Sequence, residues 1–222
     1  MNSETDFTKM PVPAEYASVV PFPVLRPAQA KAVAAGLLDG ESVLVATPTA
    51  SGKTMIGLLA LTRAVRLGKK GVFLVPLKAL ASEKARDVAK LPFTSTLSVG
   101  DYDENDSTLG NYDIIVTTPE KLDSVVRHGA AWIGNIGCVV VDEIHLLGEN
   151  SRGPTLELLL TLLRAVAPNA QIVGLSATIQ NAPELAAWLG AKLVKDDWRP
   201  VPLHEGMYVD GAIRYRFDKP VK

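Results

Sequence analysis

Apolar residues along the chain recur in two patterns. Short runs in which nearly every residue is apolar read as strands buried on both faces: SVLVA (42–46), GVFLV (71–75), DIIVT (113–117), IGCVVV (136–141) and QIVGL (171–175). TSTLSV (94–99) is a weaker strand of the same length class. Between them lie segments with helical spacing. RPAQAKAVAAGLLDG (26–40) predicts a helix with Pro27 near its start and Gly40 just past its end. TMIGLLALTRAVRLG (54–68) is a helix closed by Gly68, and KALASEKARDVAK (78–90) is another. PEKLDSVVRH (119–128) has Pro119 at its first position and Leu122, Val125 and Val126 on one face. PTLELLLTLLRAV (154–166) is long and mostly apolar. In NAPELAAWLG (181–190), Asn181 and Glu184 have capping-box spacing and Gly190 ends the helix. Residues 1–25, with PVP and PFP, read as an extended or weakly ordered lead-in, and 197–222 as short strands or a linker. Strands alternating with helices predict an α/β fold: a mainly parallel sheet, helices on both faces, and ligands bound beyond the carboxyl ends of the strands.

Composition narrows the class. The chain has 222 residues, 47% of them hydrophobic, enough for one α/β domain or two small ones. No apolar run is long enough to span a bilayer, and the polar opening MNSETDFTKM is neither a signal nor a transit peptide. Cys138 is the single cysteine and lies in IGCVVV, so it is expected to be a buried, inert thiol with no partner for a disulfide within the chain. An intracellular, cytoplasmic protein is expected. The net charge of −1 argues against a chain-wide grip on nucleic acid. Yet from Arg63 to Lys90 eight basic residues face only Glu83 and Asp87, and the acidic DYDEND follows. That stretch suits either a solvated helix face or a patch meeting a phosphate backbone.

Two stretches carry chemistry. TPTASGKT (47–54) follows a strand and opens a helix, where backbone amides and the helix start favour an anion. It matches the phosphate-loop pattern G-x-x-x-x-G-K-[ST] at Gly52, Lys53 and Thr54, but Thr47 replaces the first glycine. Thr49, Ala50, Ser51 and Gly52 would cradle the phosphates of ATP, Lys53 would reach the terminal ones, and the Thr54 hydroxyl would hold Mg²⁺. The second stretch, VVVDEIHLL (139–147), puts two acids at the end of a strand buried on both faces, where charge is costly unless paired. Asp142 is expected to bind the magnesium, directly or through water, and Glu143 to polarise the water that attacks the γ-phosphate. His145 becomes a candidate coupling residue.

DEIH together with ATPTASGKT resembles the superfamily 2 helicases of the DExH type, and further stretches extend the likeness in the family's order: RPAQ, VPLKALASEK, VGDYD, TTPEKLD and GLSAT. DEIHLLGENSRGPTLE and DWRPVPLHEG are similar to the archaeal repair-helicase branch related to the polymerase-theta helicase. The resemblance implies a RecA-like domain over residues 26–200, after the lead-in 1–25 and before a connection at 201–222. It implies that Gln29 reads the adenine edge. Pro76, Lys78, Ala79, Gly100, Asp101, Thr118, Pro119 and Glu120 would line the path of a nucleic-acid strand. With Lys78 the one obvious cation among them, backbone amides, hydroxyls and shape would do most of the holding, as suits a motor that must release its track each cycle. Ser176 and Thr178 would meet His145 across adjacent strand ends and link the ATP state to domain motion. Arg152 and Gly153 fall in an RG signature of this branch, and Trp132, Trp188 and Trp198 are expected to be packing residues.

Members of this family place ATP between two similar motor domains. The present sequence is expected to be the first of these, with the second as its partner, and to bind Mg-nucleotide weakly and unwind little alone. By resemblance the parent would be an ATP-dependent helicase moving 3′ to 5′ on single-stranded or forked DNA, nucleoid-associated when on DNA. An RNA helicase shares every motif named. A small-molecule kinase would need the phosphate loop but not GLSAT, TTPE or VPLKAL, and a non-catalytic nucleotide-binding module would not need Glu143.

Overall fold

The structure is a computed structural model, and it describes residues 10–100, 107–201, 206–209 and 211–215. In chain order the elements are α1 (Pro27–Ala34), β1 (Val43–Ala46), α2 (Lys53–Arg66), β2 (Lys70–Leu74), α3 (Lys78–Val88), β3 (Ser95–Ser98), β4 (Ile114–Thr117), α4 (Pro119–Arg127), β5 (Ile136–Val141), α5 (Gly153–Val166), β6 (Gln171–Ser176), α6 (Ala182–Leu189) and β7 (Lys192–Lys195). A short antiparallel hairpin of β8 (Gly206–Val209) and β9 (Ala212–Tyr215) follows.

Seven strands form one sheet in the order β3-β4-β2-β5-β6-β1-β7, and every pairing is parallel. Strand periodicity divides the core into two layers. Val43 and Val45 of β1, Phe73 of β2 and Val140 of β5 face α1, α2 and α3. Their neighbours Leu44, Ala46, Val72, Leu74, Val139 and Val141 face α4, α5 and α6. Both faces of the central strands are therefore sealed, which is why the runs are continuously apolar rather than alternating. The helices lie close to the sheet. A Cβ built on Gly57 of α2 would come within 2.8 Å of Val140 Cγ1, and one on Gly71 within 2.6 Å of Leu61 Cδ2.

Several expectations change. The first helix does not run to Gly40; it stops at Ala34 because Gly36 takes φ +96° and the N–H groups of Leu37 and Gly36 close back on the carbonyls of Ala32 and Val33. Gly68 closes α2 in the same way, as expected, with φ +72°. The capping box at α6 is not formed: Asn181 takes φ −86°, ψ 20° and its side chain accepts no hydrogen bond from the helix start. Gly190 does end that helix, in the left-handed region. Within the lead-in, residues 10–25 are not weakly ordered. Tyr16, Val19, Val20 and Leu25 are buried in the first core layer, and the backbone pairs Pro11 with Val24. The strand β7 had no expectation attached to it. Cys138 is fully buried, as expected, and burial pushes its thiol up to about 12. Among the described residues no helix is long and apolar enough to cross a membrane.

Candidate functional site

Because all seven strands are parallel, their carboxyl ends lie along one edge of the sheet. The strand order divides that edge in two. β1, β6 and β5 end side by side, bringing the phosphate-type loop, Ser176 and the Asp142–Glu143 pair together. β3, β4 and β2 end on the other half, followed by Gly100, by Thr118, Pro119 and Glu120, and by Pro76, Lys78 and Ala79. Asp101 lies outside the described residues.

The loop between β1 and α2 is tightly braced. The Thr47 N–H donates to the Ser176 carbonyl at 3.2 Å, and the Thr47 and Ser51 hydroxyls, both buried, are 2.8 Å apart. Threonine at the place of the first glycine is thus explained: its side chain crosses the loop and holds it. Ala50 and Gly52 both take positive φ, +65° and +91°, to complete the turn. At Gly52 a Cβ would also meet Gln29 Nε2 at 2.8 Å, so glycine is required there twice over. Lys53, the first residue of α2, turns its ammonium back into the loop, donating to the carbonyls of Thr47 (2.9 Å) and Pro48 (3.3 Å). Burial pushes this ammonium below the usual lysine range. The carboxylates of Glu143 and then Asp142 oppose that shift, while Lys84 and Arg199 add to it. Lys53 and the acid pair therefore share one electrostatic environment.

Asp142 caps the buried end of β5, and its side chain is only 8% exposed. Its N–H donates to the Leu74 carbonyl, and its Oδ1 accepts from the Glu143 N–H at 3.1 Å. Oδ2 is 3.5 Å from the Lys84 ammonium, which also donates to the Thr54 hydroxyl at 2.9 Å. Glu143 takes φ +49°, a left-handed conformation unusual for a residue with a side chain. Its carboxylate Oε2 is 3.3 Å from His145 Nδ1, and that nitrogen is 3.4 Å from the Ser176 hydroxyl. A chain from β5 to β6 through Glu143, His145 and Ser176 is thus formed. Thr178, expected in the same chain, is exposed, and among the described residues no hydrogen bond joins it to His145.

Gln29 is buried at 1% exposure and tied into the protein at both ends of its amide. Its Oε1 accepts from the Arg26 N–H at 2.9 Å and its Nε2 donates to the Gly52 carbonyl at 3.2 Å. An amide offers two lone pairs and two N–H groups, so one of each remains. A cavity of about 400 Å³ opens beside it, lined by Phe22, Arg26, Gly52, Thr54, Met55 and Leu58 among others. Arg26 lies over the rings of Phe22 (5.6 Å) and Trp198 (5.7 Å). This cluster, together with Lys84 and Arg199, was not singled out as a site by sequence reasoning. The signals were FP before RPAQ, the lysine in ALASEK and the arginine in DWRP.

On the other half of the edge, Lys78, Ala79 and Glu120 are exposed, and Pro76 and Gly100 are half-buried. Thr118 and Pro119 are buried, and the Thr118 hydroxyl caps α4 by accepting the Lys121 N–H at 3.4 Å. Those two residues form the helix start first, so any contact with a ligand there would fall to the backbone and to Glu120. Trp132 is buried in the second core layer and Trp188 packs beside it under Arg164, both as packing residues.

A wholly parallel three-layer sheet with a braced phosphate-type loop at one strand end and an acid pair two strands away defines the RecA-like class of nucleotide-binding folds. Comparison with known proteins makes this specific. Residues 26–186 match the DEAD/DEAH box helicase family, and the chain belongs to that family. It is 50% identical over 202 residues to a Pyrococcus horikoshii protein named ATP-dependent DNA helicase Hel308, covering 89% of this chain and 28% of that one. The protein of the same name from Methanococcus vannielii is 52% identical over 202 residues, with 86% and 26% covered. The chain thus spans about a quarter of the length of these relatives. Among solved structures, the Mycobacterium smegmatis helicase Lhr bound to ssDNA and AMP-PNP is similar with a TM-score of 0.68 and 30% identity, covering 81% of this chain and 26% of that one. The DUF1998 helicase MrfA bound to DNA is similar with a TM-score of 0.70 and 25% identity, covering 86% of this chain and 31% of that one.

Proposed function

We propose that this chain is the ATP-binding motor domain of an ATP-dependent DNA helicase that translocates 3′ to 5′ along single-stranded or forked DNA, working with a second motor domain. The observation that carries the reading is the meeting of Lys53 and Thr54 with Asp142 and Glu143 at the ends of β1 and β5, on either side of β6. The relatives named ATP-dependent DNA helicase, about half identical in sequence, support DNA as the track. Such a protein works in the cytoplasm, at the nucleoid while it is on DNA.

The donor set fits Mg²⁺. A hydroxyl (Thr54) and a nearly buried carboxylate (Asp142) already share one cationic group, and hard oxygen donors of this kind, completed by phosphate and water, are what magnesium prefers. When bound, the ion would neutralise charge on the phosphates. The chain's own residues do the rest. Loop amides and the start of α2 hold the phosphates, and Lys53 exchanges the carbonyls of Thr47 and Pro48 for phosphate oxygens. Glu143, held at its unusual backbone angle beside His145, orients the attacking water and takes its proton. The free lone pair and N–H of Gln29 match the two-point edge of adenine, and a base that left them unpaired would bind more weakly by about 1–3 kcal/mol. The sequence Glu143–His145–Ser176 carries the state of that water to β6. Gly100, Asp101, Lys78, Ala79, Pro76 and the Thr118–Glu120 turn hold the DNA backbone.

Calorimetric titration of Mg-ATP into the chain and into Lys53→Ala tests the site. The expected result is a loss of at least tenfold in affinity, about 1.4 kcal/mol, and equal affinity for the two proteins rejects it. Stimulation of the parent's ATPase by DNA but not RNA is expected, and the reverse would favour an RNA track.

A further inference from the structure

Lys84 belongs to α3, yet its ammonium is spent on two other elements. It donates to the hydroxyl of Thr54 on α2 at 2.9 Å and lies 3.5 Å from Oδ2 of Asp142 at the end of β5. Its side chain is only 14% exposed and that of Asp142 only 8%. Asp142 Oδ1 accepts from the Glu143 N–H, while Oδ2 faces the Lys84 ammonium. The hydroxyl and carboxylate that would receive a divalent cation are therefore the pair that Lys84 joins.

We propose that Lys84 is a tethered competitor for that cation: one ammonium satisfies Thr54 and Asp142 until the metal takes over their oxygens and Lys84 withdraws. The inference rests on the nucleotide-site reading above. Two physical arguments support it. A carboxylate this buried needs a counter-charge at all times, because an unpaired one is strongly destabilising. Lysine suits a partner that must leave, since its charge sits at the tip of a flexible four-carbon stem rather than in a rigid, bidentate fork. The consequence reaches the far half of the edge. Lys84 is on the same helix as Lys78 and Ala79, so withdrawal of its ammonium unties α3 from the nucleotide side whenever the metal arrives. That gives the nucleotide state a direct handle on the element assigned to the DNA backbone.

The test compares ATP affinity in EDTA with ATP affinity in saturating Mg²⁺, for the wild-type chain, Lys84→Met and Lys84→Arg. If the bridged form holds about nine-tenths of the molecules, it lowers apparent metal-dependent affinity roughly tenfold. Lys84→Met is then expected to raise the Mg²⁺-dependent gain by about that factor, and Lys84→Arg, whose fork holds a carboxylate more firmly, to lower it below wild type. A lysine that binds phosphate, or that merely braces the fold, predicts instead weaker ATP binding in both conditions and no larger gain; that result overturns the proposal. A second arm needs no variant. Amine acylation of the wild-type chain, read at Lys84 by mass spectrometry, is expected to rise with Mg²⁺ alone and further with Mg-ATP. Unchanged or reduced labelling in both overturns the proposal. Failure of the nucleotide-site reading shows separately, as equal ATP affinity in wild type and Lys53→Ala.

Discussion

Among the described residues, two with side chains take left-handed backbone angles, and both are in the loops that form the candidate site: Ala50 at φ +65° and Glu143 at φ +49°. Such a conformation costs a residue bearing a Cβ about 1–2 kcal/mol. At Ala50, which is exposed, glycine would remove that cost and return part of it as unfolded-state entropy. Ala50→Gly is therefore expected to stabilise the chain by about 0.5–1 kcal/mol, read as a higher denaturant midpoint at unchanged slope. At Glu143 the angle aims the carboxylate at His145, so the strain is tied to the placement of a candidate base. Cys138 gives a contrasting residue-scale expectation. With its thiol fully buried and pushed up to about 12, it stays in the unreactive thiol form at pH 8. Alkylation at pH 8 should therefore be negligible in the folded chain and fast in denaturant, and rapid labelling under native conditions would contradict the burial described.

At the scale of elements, what the sequence disclosed followed physical strength. Strands sealed on both faces leave continuous apolar runs, so β1, β2, β4, β5 and β6 were legible almost to the residue. β7, in KLVK, pairs on one side only and carries lysines at both ends, so its apolar signal is too short to read. The first helix was over-extended because Leu37 and Leu38 continue the apolar pattern after the turn at Gly36, burying Leu37 without helical backbone. The phosphate loop and DEIH could be read because their chemistry dictates spacing. Lys84 and Arg26 could not, because each matters through a partner distant in sequence. Element packing yields its own prediction. α2 approaches β5 closely at Gly57, where a Cβ would already press on Val140. Gly57→Val is expected to destabilise the chain by about 1–3 kcal/mol through overpacking, measured by chemical denaturation. A neutral effect would mean that helix and sheet have more room than the contacts describe.

For the whole molecule, the division of one sheet edge into a proposed nucleotide half and a proposed DNA half lets ligand binding be read as stability. A ligand that binds only the folded chain adds about 2.7 kcal/mol at a hundredfold excess over its Kd. For a chain of this length that corresponds to roughly 5–10 °C in Tm. Mg-ATP is expected to produce such a shift in the wild-type chain and little or none in Lys53→Ala. A shift of equal size in both would separate nucleotide binding from the loop.

The sheet order also governs when the site comes into being during synthesis. β1 carries the phosphate-type loop, but both of its neighbours, β6 and β7, lie more than a hundred residues downstream. At translation rates of about 5–20 residues per second, the interval between the emergence of Ala46 and that of Gln171 is roughly 6–25 s. Through that interval a four-residue apolar strand has nothing to pair with, and the loop following it has no Ser176 carbonyl to anchor Thr47. Nascent chains ending before residue 171 should accordingly lean on chaperones and fail to retain ATP, becoming competent only once β6 and β7 have emerged to flank β1.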